Sequence, residues 1–560
     1  MQELTKAQKA RIAIRVFKTT VDAFALRGYY RPSGKSGESL SEALKMLSPE
    51  IYGTMNDKRI IELKGLEYVI DRLPCGIEEC SRITLTAQEE FVDTSFEKIQ
   101  PPKRRRISYR VSEKEMCFVI TSGLSELYDI ITHLTFLHIE AKKIRSQMSD
   151  ELGNITSEWK ELEKTIHLCD QLTGSELDQA IWNLSIILGR TYLETRATYD
   201  YFELNRKQNH SNRGLFKLIF TLGTRMKEEE ESRDHMLLIY LTPSLKDMIG
   251  HHKYSLVWAN SIKEKLISLG LQDRPIHIIS ANMHSVMNWL YGYAALNQKI
   301  SKNQNDDFYH HVLTIREYQE DVKKFAKQYG LIEMTDHSGM YIDYQIIDTT
   351  YLNLSELPHQ LSVNESIVSD QKPVILVIDY AFGTQAFDAL DRLLEPFSTK
   401  DKEVPMNVQS ISVMGKAGIL PGKKGDIMLA TAHVLEGTSH NYIVDNDLKQ
   451  SDFDSSVDVY EGPIVTVLGT SLQNRDVLNK FQSTSWKAIG LEMEGGHYQK
   501  AISAAIIKGH ISNTIKVRYA YYASDNPLVS GQTLSSGSMG KEGIKPTYLI
   551  TKIILEKIFS

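Results

Sequence analysis

The sequence predicts an α/β protein whose C-terminal third forms a mixed sheet flanked by helices, preceded by a large, mainly helical N-terminal region. Three observations lead there. Apolar residues recur three and four apart through most of the first 230 residues, the spacing of one helix face. Short β-rich runs with clear breaks recur after Gln371. Helical patterns follow two of those runs, and strands alternating with helices build sheets covered on both faces.

In order along the chain, helical faces are expected at Ala13 to Leu26, Leu124 to Ile144, Trp159 to Leu172 and Leu177 to Tyr201. The basic run Lys103-Arg104-Arg105-Arg106, after Pro101-Pro102, reads as a solvated turn. After Glu228 to Glu231 the periodicity changes, with β-rich runs at Met236 to Leu241, Ile276 to Ile279 and Tyr344 to Ile347. Asn303 to Asp307 reads as a polar loop and Leu354 to Gln371 as a linker. At 560 residues the chain suggests three units, given about 100 to 200 residues per domain. They are a mainly helical domain over 1–230, a small α/β segment or extension with linker over 231–364, and a last domain over 365–560.

Composition narrows the function. With 42% hydrophobic and 24% charged residues the chain has the make-up of a soluble globular protein. A formal charge of -6 gives no electrostatic reason to bind nucleic acid or an anionic membrane. Apolar runs fall short of the roughly 18 residues that span a bilayer, and the N-terminus alternates charged with apolar residues instead of forming a secretory core. A cytoplasmic location is expected. Cysteines 75, 80, 117 and 169 are too few and scattered for a disulfide framework, and Cys75 with Cys80 lacks the second pair a zinc site needs.

The last domain carries the chemistry. Strand-like runs are expected at Val374 to Asp379, Val408 to Met414, Asp426 to Ala432, Pro463 to Leu468, Ala488 to Met493 and Ile515 to Ala523, with helices at Ala386 to Leu394 and Gly496 to Ile507. Loops at the carboxyl ends of such strands form ligand crevices. Three ends stand out. Gly415-Lys416-Ala417-Gly418 reads as a turn past a strand whose amides can approach a ligand, with Gly425-Asp426 downstream. Glu492-Met493-Glu494-Gly495-Gly496 sets two carboxylates at a strand-to-helix turn, and Ala523-Ser524-Asp525-Asn526 ends an aromatic strand in an acid.

In order and spacing these three motifs resemble the nucleoside phosphorylase superfamily, over roughly 190 residues. Among its members the chain is most similar to AMP nucleosidase, which also joins a large N-terminal region to this domain and lacks an arginine before the glycine turn. The resemblance implies cleavage of a purine N-glycosidic bond, with Asp525 as the acid near N7 of the base and Ser524 orienting it. Glu494 would bind the 2′ and 3′ hydroxyls of the ribose, with Met493 packing on the sugar face. Glu492 stays unassigned.

The nucleophile is less defined. Val413 stands where phosphorylases of the superfamily carry arginine, which favours water over phosphate. Lys416 either faces solvent or serves as a point charge for a phosphate group. Gly383 and Thr384 offer an amide and a hydroxyl to an anion, and Asp379 or Gln385 would position water. Tyr521 or Tyr522 would replace Leu468 and Thr470 as a platform for the base. The expectation is therefore a hydrolase acting on a purine nucleotide or nucleoside, AMP above others, needing no metal or organic cofactor. By the same resemblance it would be a homo-oligomer. The alternatives are a purine nucleoside phosphorylase and a nucleotide-binding regulatory protein without catalysis.

Overall fold

The computed structural model describes residues 4–87, 94–104, 106–251, 253–296, 308–399, 402–529 and 539–560. They divide into two units, Met1–His251 with Ser471–Val477, and His252–Thr470 with Leu478–Ser560. The expected border at residue 365 thus moves forward by more than a hundred residues. Arg105 and Asn303 to Asp307 lie outside the described residues.

In the first unit the expected helices form as Lys6–Arg27, Gly123–Gln147 and Ser157–Leu168, but the fourth divides. Gly174–Leu188 ends at Gly189, held left-handed at φ 61°. Tyr192–Asn209 then starts from a capping box in which Thr191 and Glu194 satisfy each other's backbone amides. The unit also holds a sheet that periodicity did not reveal. Its strands are β1 (Tyr29–Tyr30), β2 (Arg82–Thr86), β3 (Glu97–Lys98), β4 (Ile107–Ser112), β5 (Glu115–Val119) and β6 (Leu238–Leu241), in the order β1-β6-β2-β5-β4-β3. Each is short, so alternation along any one of them is a weak signal.

The basic run begins as the expected turn with Lys103 exposed, but it ends in a buried arginine. Lys103 pairs with Asp71 at 2.6 Å, and Arg104 lies 3.3 Å from Asp129. Arg106, fully buried, pairs with the same Asp129. Asp129 belongs to Gly123–Gln147, a helix buried nearly all round that carries Glu126, His133, His138, Glu140 and Lys143 inside the unit. Glu140 accepts from the Glu62 amide at 2.9 Å and pairs with Lys143 at 2.9 Å.

The second unit is a mixed α/β structure. Its strands are β7 (Ile276–Ser280), β8 (Leu331–Met334), β9 (Tyr344–Asp348), β10 (Val374–Ile378), β11 (Phe397–Ser398), β12 (Glu403–Val404), β13 (Val408–Ile419), β14 (Ile427–Leu435), β15 (Asn441–Ile443), β16 (Val459–Thr466), β17 (Gly490–Glu492) and β18 (Lys516–Asp525). Among the described residues ten of these form one sheet, and β11 and β12 pair separately. β7 lies at its centre, parallel to both β10 and β13. Of the runs expected before residue 364, Ile276 to Ile279 and Tyr344 to Ile347 are therefore part of this sheet, Met236 to Leu241 forms β6 in the first unit, and the segment read as a linker forms the helix Glu365–Gln371 inside the second unit.

Alternation along the central strands shows how the sheet is buried. Val374, Leu376 and Ile378 join one apolar cluster, Ile375 and Val377 the other. Both faces are thus covered by helices, which suits a continuous apolar strand. β14, β16, β17, β13 and β18 also pair in a closed ring, since β18 bonds both β13 and β14. Five strands of the sheet therefore close into a small barrel. Among the described residues no helix is long and apolar enough to cross a membrane.

Glu140 yields a stability prediction. Burial pushes its carboxyl up to about 7, against the pull of Lys143. A group raised in the folded state contributes stability that is complete below its unfolded pKa of about 4.5 and is lost as pH rises through 7. The loss is on the order of 3 kcal/mol. Urea unfolding of the full chain at pH 5 and pH 8 is expected to show this difference, and Glu140→Gln to remove most of it. An unchanged difference in the variant would refute the assignment.

Candidate active site

The site follows from the register of β13. β18 holds one flank of this strand from Ser410 to Gly418. The other flank is shared by two strands running toward each other. β7 occupies it as far as Val413, opposite Ser280, and β17 occupies it from Gly418, opposite Leu491. Met414 to Ala417 are left without a strand on that side. The gap opens into a cavity of about 460 Å³.

Chain segments leaving several strands line it. Ser280 ends β7 and Asn282 and His284 follow it, Tyr380 and Ala381 follow β10, and Glu494 follows β17. Val413 to Lys416 form the floor, with Tyr521 and Tyr522 beside them on β18. Arg316, from the helix Phe308–Glu317, and the start of the helix Ile544–Ile558 complete the wall.

Glu494 is the N-cap residue of Gly495–Ile507, where a helix N-terminus favours negative charge. Its Oε1 accepts from the Gly383 amide at 2.9 Å, which ties the loop after β10 to the turn after β17. Glu492 stands behind it and is almost fully buried. Its Oε2 accepts from the amide of Glu494 at 2.5 Å and from that of Gly495, and its Oε1 from the Thr466 hydroxyl at 2.5 Å. His433 Nδ1 lies 3.4 Å from Oε1, at ion-pair distance but outside hydrogen-bond alignment. Burial raises the Glu492 pKa, but His433 and these donors outweigh it and hold the carboxyl below the usual glutamate range.

The other sequence candidates separate. Gly415 and Lys416 line the cavity, whereas Gly418 faces Leu491 and Pro527. The expected glycine turn is no turn, because β13 runs unbroken through Gly415 and Gly418 to Ile419. Gly415 supplies room instead of curvature, for a Cβ there would lie 3.8 Å from Tyr380. Asp525 closes β18 opposite Gly418 and accepts from the Ser524 hydroxyl at 2.5 Å. Neither residue is on this cavity's wall, and neither is the buried Met493.

Nor does the loop after β10 deliver a water-positioning group to the wall. Gln385 spends its amide on the Met340 carbonyl, 2.7 Å, and the Phe382 amide, 3.0 Å. Asp379 accepts from the Tyr380 amide at 2.8 Å, Gly383 gives its amide to Glu494, and Thr384 starts the helix Gln385–Leu394. None of these four lines the cavity. His497 is also off the wall, its pKa pushed down to about 4 by burial.

Asn282, His284 and Arg316 were not foreseen. The run Ile276 to Ile279 was legible as a strand, and the polar residues just past it were the available signal. Burial and the charge of Arg316 push His284 down to about 4, so its ring is uncharged at neutral pH. His284 Nδ1 lies 3.1 Å from the Tyr548 hydroxyl, which accepts from Asn288 Nδ2 at 2.8 Å. A phenol that accepts from Asn288 has its own proton to give to Nδ1, and that arrangement puts the ring proton on Nε2, whereas the other tautomer donates from Nδ1 to the phenol.

Two glycines test this geometry. A Cβ on Gly495 would lie 2.3 Å from both His433 Cε1 and the Tyr521 hydroxyl, whereas one on Gly415 meets only ordinary contacts. Gly495→Ala is expected to cost about 1–3 kcal/mol in urea unfolding, and Gly415→Ala to stay within about 0.5 kcal/mol of the parent. Equal stability of the two variants would contradict the packing described.

No curated protein matches this chain. Among solved structures, 5′-methylthioadenosine/S-adenosyl homocysteine nucleosidase from Campylobacter jejuni is similar at 12% identity and TM-score 0.31, over 51% of this chain and 98% of that one. Futalosine hydrolase of Helicobacter pylori gives 12% and 0.29, over 51% and 97%. Uridine phosphorylase from Schistosoma mansoni, in complex with thymidine, gives 11% and 0.30, over 50% and 85%. The model of a family described as Family of unknown function (DUF6909) matches residues 38–303 and 302–560. These two matches take in most of the sequence, and the chain belongs to that family.

Proposed function

We propose that the second unit hydrolyses the N-glycosidic bond of a purine nucleotide or nucleoside, with AMP the leading substrate. The observation that carries this reading is Glu494, a carboxylate fixed by the Gly383 amide on the wall of a cavity that also presents Tyr380, Tyr521 and Tyr522. A carboxylate offers acceptors for two vicinal hydroxyls and fixes the sugar relative to the attacking group. The tyrosine rings offer apolar faces for the rest of the ligand.

In the proposed reaction the bond from C1′ to the base nitrogen breaks, its electron pair stays on the base, and water forms the new bond to C1′. Asp525 gives its proton to N7 of the departing base, the attacking water releases a proton to solvent as it bonds to C1′, and Ser524 holds the Asp525 carboxyl in place. This placement rests on the motif and on the short Ser524–Asp525 hydrogen bond. A general acid of this kind contributes about 10² to 10⁴ in rate. Val413 lines the cavity with an apolar side chain, which supports water over phosphate as nucleophile. A second reading is binding without cleavage, favoured by the cavity wall itself, on which Glu494 is the one carboxylate among the described residues.

The test is incubation of the full chain with purine nucleosides and 5′-nucleotides, with and without phosphate, read by chromatography. Release of free base and ribose or ribose 5-phosphate without added phosphate is expected. Asp525→Asn is expected to lower kcat by about 10² or more. Glu494→Gln is expected to lower kcat/KM by a similar factor, mostly through lost sugar positioning. Near-parent rates in both variants would overturn the mechanism, and saturable binding with no base released would select the second reading.

A further inference from the structure

The proposed reaction leaves one buried titratable group unused. His433, on β14, is fully buried and off the cavity wall, and its ring packs against Tyr519 at 4.7 Å and Tyr521 at 6.3 Å between ring centres. Among the described residues neither of its nitrogens has a hydrogen-bond partner, nor do the hydroxyls of those two tyrosines. A polar ring buried in this way is costly unless it serves a charge. What it faces is Glu492, whose Oε1 lies 3.4 Å from Nδ1.

The hydrogen-bonding surroundings of Glu492 are all donors. The amides of Glu494 and Gly495 give to Oε2, and the Thr466 hydroxyl gives to Oε1. The Thr466 oxygen itself accepts from the Gly496 amide at 3.0 Å, so its one proton is committed to Glu492. A proton on the carboxyl would set donor against donor and break one of these bonds. The turn that carries Glu494 therefore keeps this shape while Glu492 is ionised, and burial works against that state.

Two amides and a hydroxyl bring no charge to offset that burial. Among the described residues His433 is the side chain within ion-pair distance of Glu492 that can carry one. The other titratable groups facing the pair do not replace it at neutral pH. Burial keeps Tyr519 and Tyr521 of β18, and Tyr498 of the helix after β17, protonated. Burial also pushes His497 down to about 4, and Glu494 is itself a carboxylate. We infer that His433 is a positioning residue: it keeps Glu492 ionised behind the wall and so holds the Glu494 carboxylate where the sugar hydroxyls need it. The inference rests on the proposed reading of Glu494. Its consequence is a direction: without His433 the buried Glu492 takes up its proton at a higher pH, and the site is lost there.

The test is equilibrium binding of an adenine C-nucleoside to the full chain between pH 4 and pH 8, with the fold checked by circular dichroism at each pH. The carbon–carbon link between base and sugar resists hydrolysis, so turnover does not confuse the measurement. Parent affinity is expected to hold at pH 7 and to fall on the acid side. His433→Leu is expected to move that acid limb up by about one pH unit or more. His433→Gln, which keeps a neutral donor, is expected to shift it less, and carries the test alone if His433→Leu does not fold. Glu492→Gln is expected to weaken binding about tenfold or more at every pH, and adding His433→Leu to it to move the limb no further.

A limb that stays in place in the His433 variants would overturn the inference and leave the sugar reading standing. So would weakening that is equal at every pH, since a merely structural histidine does that. A shift that persists on the Glu492→Gln background would also overturn it, because His433 would then act on Glu494 directly. If Glu494→Gln leaves affinity unchanged while the limb still moves with His433, the sugar reading falls and the control of the turn stands. Failure of the parent to bind overturns both.

Discussion

The gap on one flank of β13 is the constraint from which the candidate site follows. A strand of twelve residues needs partners on both sides, and β18 satisfies one side almost throughout. On the other side β7 and β17 arrive from opposite directions and stop short of each other. Their carboxyl ends therefore face the same opening. Chain leaving either strand must turn away there, and the backbone of Met414 to Ala417 has no ladder partner on that side. A concave site at converging strand ends is the usual outcome of such a sheet.

What makes the opening specific is the turn after β17. A carboxylate at a helix N-terminus is favoured by the dipole, but its direction is set by what holds the turn. Here that is Glu492, buried and accepting from Thr466 and from the amides of Glu494 and Gly495. Burying an ionised carboxylate is costly unless several donors meet it, and this one has three besides the nearby His433. Gly495 and Gly496 let the helix start against His433, Thr466 and Leu435, where any Cβ would collide. The two acids of the motif thus divide the work, one as anchor and one exposed to the cavity.

Much of the second unit was legible in the sequence because its strands are continuous apolar runs. All six runs expected after residue 371 formed, as did both helices. The position of β7 was not legible. Its partners β10 and β13 lie about a hundred residues or more away in sequence, and nothing local to Ile276 to Ile279 states which strands flank it. Missing that pairing moved the domain border and hid Asn282 and His284. Gly415 and Gly418 misled in the other direction, because glycine suggests a turn wherever no side chain is present, even inside a strand. Gln385 could be read as a ligand group only while its backbone partners were unseen. In the first unit only the run that became β6 was expected, because the other strands are short and β2 and β6 pair across long stretches of chain, and Arg104 and Arg106 looked solvated because their carboxylate partner, Asp129, is remote in sequence.

Asp525 gains meaning from the same register. Ser280 is level with Val413, and Leu491 of β17 and Asp525 of β18 are level with Gly418 on its two flanks. At about 3.3 Å per residue, the five steps from Val413 to Gly418 span roughly 17 Å along the floor. Ser280 stands at one end of that line and Asp525 at the other, and the turn that carries Glu494 starts from the Asp525 end. In the proposed reading the ligand lies along β13, so that Glu494 on the cavity wall and Asp525 beyond it at the far end of the line serve one molecule.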